Sequence, residues 1–192
     1  MRKYILGLLL LISITTLANN PQRELFRGGM FLHTGYVKNK LNSPSVNGLV
    51  TGIGGKITFR LGEHFRAGTE GYVSNYGYGA NEGQYSLGWG GLLAEYQFND
   101  KRVVPVMGIT IGGAKIRDLY MLSGNFNDNL ADVAIYKVYS SFILAPQFGL
   151  EIRMSDHISL TTKVDYVLYP GIDFSNEVAK GPRFYFGIMF MR

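Results

Sequence analysis

The side chains best suited to proton chemistry near neutral pH are histidines, and the chain has three: His33, His64 and His157. His64 follows Gly62-Glu63 and His157 follows Ser155-Asp156, which are turn sequences. His33 shares a face with Phe31 and Gly35 in an extended stretch. Nucleophilic catalysis by serine needs such a base within hydrogen-bond reach, and the longer loops contain no histidine. His33 therefore reads as a hydrogen-bonded interior residue. The absence of cysteine excludes disulfides and thiolate metal sites. Asn125, Asn127, Asp128, Asn129 and Asp132 have the composition of a calcium loop but lack its central glycine and terminal glutamate. No catalytic residue, metal site or cofactor is expected.

The remaining polar chemistry is charge, and its spacing is informative. In the stretch 147–169, Phe148, Leu150, Ile152, Ile158, Leu160, Val164 and Tyr166 alternate with Glu151, Arg153, Lys163 and Asp165. Side chains of a strand point alternately to its two faces, so this is a hairpin with one apolar and one charged face. A three-residue turn, Ser155-Asp156-His157, sets Glu151 opposite Thr161 and diagonal to Lys163, and Gly149 opposite Lys163. The hairpin 49–74 behaves alike, with Leu61 against Phe65 and Lys56 against Glu70. It also opposes Arg60 to Arg66, a like-charge pair for which Glu95 is the expected counter-ion. With Arg183, these residues form one charged set of both signs.

The elements that carry them are strands expected at 28–37, 49–61, 65–74, 85–98, 103–114, 140–154, 158–169 and 183–192, which is about eight. In the fourth, Leu87 and Trp89 fall on the polar side, and a bulge at Gly90-Gly91 would return them to the apolar one. Long loops (38–48, 74–84, 115–139, 170–182) alternate with tight turns, and 127–134 is a candidate helical turn. Met1-Arg2-Lys3, the apolar run 5–14 and Ala18 have the form of a secretory signal peptide. The expected organisation is a signal peptide at 1–18, a periplasmic lead at 19–27 and a barrel at 28–192.

Alternation alone leaves two barrels open: a soluble one with the apolar face inside, or a membrane one with that face outside. Volume decides. About four or five large residues from each strand would overfill an eight-stranded interior, which is only wide enough for side chains. The opposite face is rich in glycine (Gly52, Gly54, Gly68, Gly108, Gly149, Gly187) and holds the mixed charges. Charged residues are 17% of the chain against a usual ~25%. The expectation is an all-β, closed, antiparallel up-and-down transmembrane β-barrel. Tyr36, Tyr72, Tyr76, Tyr85, Trp89, Tyr139 and Tyr169 would form an outer aromatic girdle, and Phe59, Phe65, Tyr96, Phe98 and Phe190 an inner one. The net charge of +5 includes Arg2 and Lys3. No basic run interleaves with exposed aromatics, so no nucleic-acid partner is expected.

In this architecture the whole mature chain resembles the small eight-stranded outer-membrane barrels typified by OmpA, OmpX and OmpW. The resemblance implies a monomer in the outer membrane of a Gram-negative cell, among outer-membrane lipid and lipopolysaccharide. It also implies that Phe184, Phe186, Ile188 and Phe190 present an assembly signal to the barrel-assembly machinery. That signal usually ends on an aromatic, whereas Met191-Arg192 follow here. Related small barrels include lipid-modifying enzymes with a catalytic histidine at the outer rim, a position without histidine in this chain. The expected function is structural or surface interaction, with a lumen closed by Lys56, Arg60, Arg66, Glu70, Glu95, Glu151, Arg153, Lys163, Asp165 and Arg183. The alternatives are a narrow porin-like channel for small solutes and a rim lipid-modifying enzyme.

Overall fold

A computed structural model describes residues 25–38, 47–78, 83–98, 102–126, 129–170 and 180–192. Eight strands follow one another in the chain and in space. They are β1 (Phe26–Lys38), β2 (Asn47–Arg60), β3 (Phe65–Tyr78), β4 (Gly83–Gln97), β5 (Val103–Phe126), β6 (Asn129–Arg153), β7 (Ile158–Tyr166) and β8 (Pro182–Met191). Each pairs antiparallel with its neighbour, and β8 pairs with β1 to close the barrel. Closure gives the outermost strands partners and so removes the unpaired edge of an open sheet.

Burial alternates along these strands in the sense opposite to that of a soluble protein. Lys56, Glu70, Glu95, Glu151, Lys163 and Arg183 are buried, while Met30, Phe65 and Leu92 are 60–72% exposed. Holding each such apolar side chain in water would forgo about 1.5–3 kcal/mol. A belt of them around the whole wall requires an apolar medium, as the volume argument anticipates.

The short turns have the expected registers. Leu61 donates its N–H to Phe65 (2.9 Å) and Met154 to Ile158 (3.0 Å). Lys56 stands opposite Glu70, Arg60 opposite Arg66, Gly149 opposite Lys163 and Glu151 opposite Thr161. Pro105, which has no N–H to donate, is the third residue of β5, where its carbonyl accepts from Phe98 (3.1 Å).

Several boundaries and one register differ from the sequence reading. β1 begins at Phe26, so Phe26 and Arg27 belong to the wall and not to the lead. β3 and β4 run to Tyr78 and from Gly83, through most of the expected loop. Residues 115–126 and 129–139 are strand: β5 and β6 stay paired from Val103 opposite Ile152 to Phe126 opposite Asn129. That removes the helical turn over 129–134, and 127 and 128 lie outside the described residues. The physical reason is that a ladder needs only backbone. Once a hairpin passes the lipid belt its two faces no longer meet different media, and the alternation that identifies a strand fades. No bulge interrupts β4, since its pairing with β3 is continuous from Phe65 opposite Tyr96 to Tyr78 opposite Gly83. Leu87 and Trp89 therefore point inward and are 1% and 4% exposed. The expected signal peptide and the first part of the lead lie outside the described residues.

Candidate functional site

The candidate site is the lumen, built by the inward residue of every second position. Near the turn end its centre is Glu151 on β6. Arg27 Nη1 donates to Oε2 at 2.7 Å, and Arg66 Nη1 donates to both carboxylate oxygens at 3.0 and 2.9 Å. Lys56 Nζ lies 3.7 Å from Oε1 and donates to Glu95 Oε1 at 2.6 Å. The other end of the Arg66 guanidinium donates to Gln97 Oε1. All five charged groups are at most 3% exposed, and charge-assisted bonds are stronger in such surroundings than in water.

A second carboxylate, Glu70 on β3, receives Lys163 Nζ from β7 at 2.6 Å, the hydroxyl of Thr110, and Tyr72 Oη at 3.3 Å. β3 and β7 lie four strands apart in a ring of eight, so this bond spans the barrel. Lys163 Nζ also donates to Gln147 Oε1 at 2.7 Å. It sits 4.5 Å from the ring centroids of both Tyr72 and Tyr185, in range of cation–π attraction.

Above this ammonium the lumen becomes aromatic. Tyr72 packs on Trp89 (5.0 Å between ring centroids) and Tyr185 (4.7 Å), and His33 on Tyr185 (4.8 Å). Glycines opposite make room: a Cβ on Gly187 would come within 2.5 Å of Phe31 Cδ1, and one on Gly54 would collide with the Tyr72 ring. Closer to the loop end, Val37, Val50, Leu87, Ile116, Ile143 and Val167 form part of the same apolar cluster, each at most 1% exposed. The interior thus has an ionic storey near the turns, an aromatic one above it and aliphatic side chains near the loops.

Other expected lumen residues also point inward. Asp165 and Arg183 face each other across β7 and β8, 2% and 1% exposed. Arg153 is half-buried opposite Ser159. Glu95 is not the counter-ion of the arginine pair. Arg66 reaches across to Glu151, while Arg60 folds onto its own turn, donating to the Gly62 and Glu63 carbonyls at 2.9 and 2.6 Å. The two guanidinium groups of the opposed pair thereby part. Phe184, Phe186, Ile188 and Phe190 face outward, 45–58% exposed.

The outer girdle is the largest departure from the sequence reading. Tyr72, Tyr85, Trp89 and Tyr169 turn inward, whereas Tyr36 is 50% exposed. The inner girdle does face outward, with Phe59, Phe65, Phe98 and Phe190 about half-exposed. Arg27 and Gln147 are lumen residues that the sequence reading missed, whereas Gln97 and Thr110 lie on the polar, glycine-rich face that it turned inward. Arg27 was legible, because it shares parity with Phe31 and His33. A serine–histidine contact also exists inside the barrel: His33 Nε2 lies 2.7 Å from Ser74 Oγ. Ser74 is only 1% exposed, and no carboxylate or carbonyl is bonded to His33 Nδ1. His64 is fixed at its turn by the Gln97 carbonyl, 2.9 Å from Nδ1.

A closed ring of eight antiparallel strands with an apolar outer belt and a charged interior is the fold of the small outer-membrane β-barrels of Gram-negative bacteria. No protein-family model matches the sequence, and no curated protein matches it significantly. Solved structures of this class do match by shape. Neisserial surface protein A covers 87% of this chain and 97% of its own at a TM-score of 0.61 and 16% identity. Ail, the attachment invasion locus protein of Yersinia pestis, covers 88% and 100% at 0.60 and 10%. OprG of Pseudomonas aeruginosa covers 88% and 94% at 0.52 and 13%. At these identities the likeness is one of fold.

Proposed function

We propose that the chain is a monomeric outer-membrane barrel with a closed lumen, whose role is structural or lies in surface interaction at its loop end. The observation that carries this reading is the stack of ion pairs that crosses the lumen beneath an apolar layer. An ion moving through would have to part Lys163 from Glu70 and both arginines from Glu151. It would then have to enter the aliphatic storey, where nothing replaces its hydration shell. Breaking one buried pair costs about 3–5 kcal/mol, which slows passage by orders of magnitude even if only a single pair opens.

Small barrels have short periplasmic turns and longer outer strands and loops, so the turns at 61–64 and 154–157, the start of β1 and the end of β8 face the periplasm. Export by residues 1–18 and assembly through the outward Phe184, Phe186, Ile188 and Phe190 complete the proposed route to that membrane. Among the described residues, the β5–β6 hairpin continues beyond the end of β4 and offers its surface outside. A structure of Ail in complex with a heparin analogue, sucrose octasulfate, also matches this fold, which supports a polyanion as one class of surface ligand. Catalysis at Ser74 is disfavoured by its burial and by the lack of a group orienting His33.

Planar bilayers test the reading. The purified barrel is expected to give no persistent openings in symmetric salt. Steady conductance that disappears on Lys56→Gln or Arg66→Gln would establish the channel alternative instead. Unchanged lipid A mass on expression disposes of the rim enzyme.

A further inference from the structure

The outward wall carries a row without side chains. Gly55 stands opposite Gly71, Gly71 opposite Gly90 and Gly90 opposite Gly113, so four neighbouring strands each contribute a glycine at one level. All four face outward by parity. Ile57, Val73, Leu92 and Ile111, two residues away on the same strands, are 44–72% exposed. At the β4–β6 end Gly88 deepens the gap into a groove of about 740 Å³ between Val73 and Phe142.

Lys115 and Arg117 line the loop-side end of this groove, and both are exposed. Their cross-strand neighbours are Gly88, Ser140, Ser86 and Val138, none of them acidic. From Val103 to Gly113 every outward position of β5 is apolar or glycine. That is about the 9–11 residues a tilted strand needs to cross hydrocarbon, so the two cations stand at headgroup level. An acyl chain gains no hydrophobic energy by leaving other lipids for the groove, only closer packing against bare backbone. The headgroup therefore decides which lipid is held, and paired Lys and Arg select phosphate. A second copy of this chain fits less well, because a two-fold contact through this face would set the cations of both copies side by side.

We propose that this groove binds one phosphorylated acyl lipid of the outer leaflet. An acyl chain lies over Gly88, Gly90 and Gly113, and the phosphate is held by Lys115 and Arg117. The proposal rests on the membrane orientation given above. Native mass spectrometry of the full barrel in neutral detergent, with diphosphoryl lipid A, dephosphorylated lipid A or phosphatidylcholine added, provides the test. One retained copy of diphosphoryl lipid A is expected, and none of the other two.

The double variant Gly88→Leu, Gly113→Leu should abolish retention. It should still fold, because a Cβ at Gly88 meets nothing within 4 Å and one at Gly113 comes no closer than 3.8 Å. Lys115→Gln with Arg117→Gln should weaken binding about tenfold for each cation. Undiminished retention in the leucine variant, or equal retention of the dephosphorylated lipid, overturns the proposal. So does a dimer that the leucine variant dissociates. Heat-modifiable gel mobility read on the same samples separates the two readings. A chain that never shifts on boiling refutes the membrane barrel and the groove together, whereas a shifting chain indifferent to the leucine variant refutes the groove alone.

Discussion

Replacing Glu151 by glutamine is the most direct challenge to the lumen account. The variant keeps the shape of the side chain but removes the charge that receives Arg27 and Arg66 and lies 3.7 Å from Lys56. Its amide keeps one neutral acceptor oxygen, and its NH2 group points a donor at the cations where the second carboxylate oxygen stood. Lys56 keeps Glu95, so the uncompensated charge falls on the two guanidinium groups, both 3% exposed. Removing one partner of a buried pair costs about 3–5 kcal/mol, a large share of the ~5–15 kcal/mol that holds a typical domain. With an m-value near 2 kcal/mol/M, a loss of about 4 kcal/mol lowers the urea midpoint by about 2 M. Reversible unfolding in detergent or lipid vesicles, followed by heat-modifiable mobility, measures it. Asp156→Asn, on an exposed turn residue, is the control. A midpoint for Glu151→Gln within about 0.5 M of that control would mean that the charges stabilise nothing and that the argument from burial is wrong.

Three further outcomes follow from the interior. Trp89 is the single tryptophan, so its fluorescence should resist quenching by brominated acyl chains; strong quenching would restore the outward, bulged β4. Gly187→Val should lower folding yield and destabilise by about 1–3 kcal/mol, read as the heat-shifted fraction, with partial recovery when Phe31→Ala is added. If Phe31→Ala brings no recovery, the loss lies in the backbone contact with Met30 and not in the aromatic storey. Lys163→Met should destabilise more than Lys115→Met by about 2 kcal/mol or more, since only Lys163 is buried against a carboxylate; equal midpoints in urea would contradict the cross-lumen bond.

The hydrophobic alternation made most of the wall legible in the sequence, because every outward position meets one medium and every inward position another. The tight turns were legible for the same reason: opposed residues must share a face, so the parity of Met154 and Ile158 dictates an odd loop. What parity cannot report is how far a side chain reaches. Glu95 lies beside Arg66 in register, yet Arg66 bonds Glu151 on a strand it does not touch. Reach across a lumen depends on what fills it, and that is settled by pairs such as Gly187 with Phe31 on different strands. The inward tyrosines failed for a related reason. A polar tip suits both a membrane interface and a buried hydrogen bond, so Tyr72 and Tyr85 could be placed by type on either side. The strands beyond Ala114 escaped notice because outside the lipid belt no contrast of media marks their faces.

The ion pairs also bear on how the wall finds its alignment. Sliding one strand by a single residue turns every side chain to the wrong face and is strongly penalised. Sliding it by two residues leaves inside and outside intact, so the apolar belt cannot detect the error. The charges can. A two-residue slip moves Lys163 about 7 Å along β7, too far to reach Glu70 and Gln147, and a like shift of β6 withdraws Glu151 from Arg27 and Arg66. Since Arg27 on β1 and Glu151 on β6 are 124 residues apart in the chain, their bond forms across the lumen only when the ring closes in true alignment. The interior thus works as a combination that admits one closing position among several that lipid alone would accept.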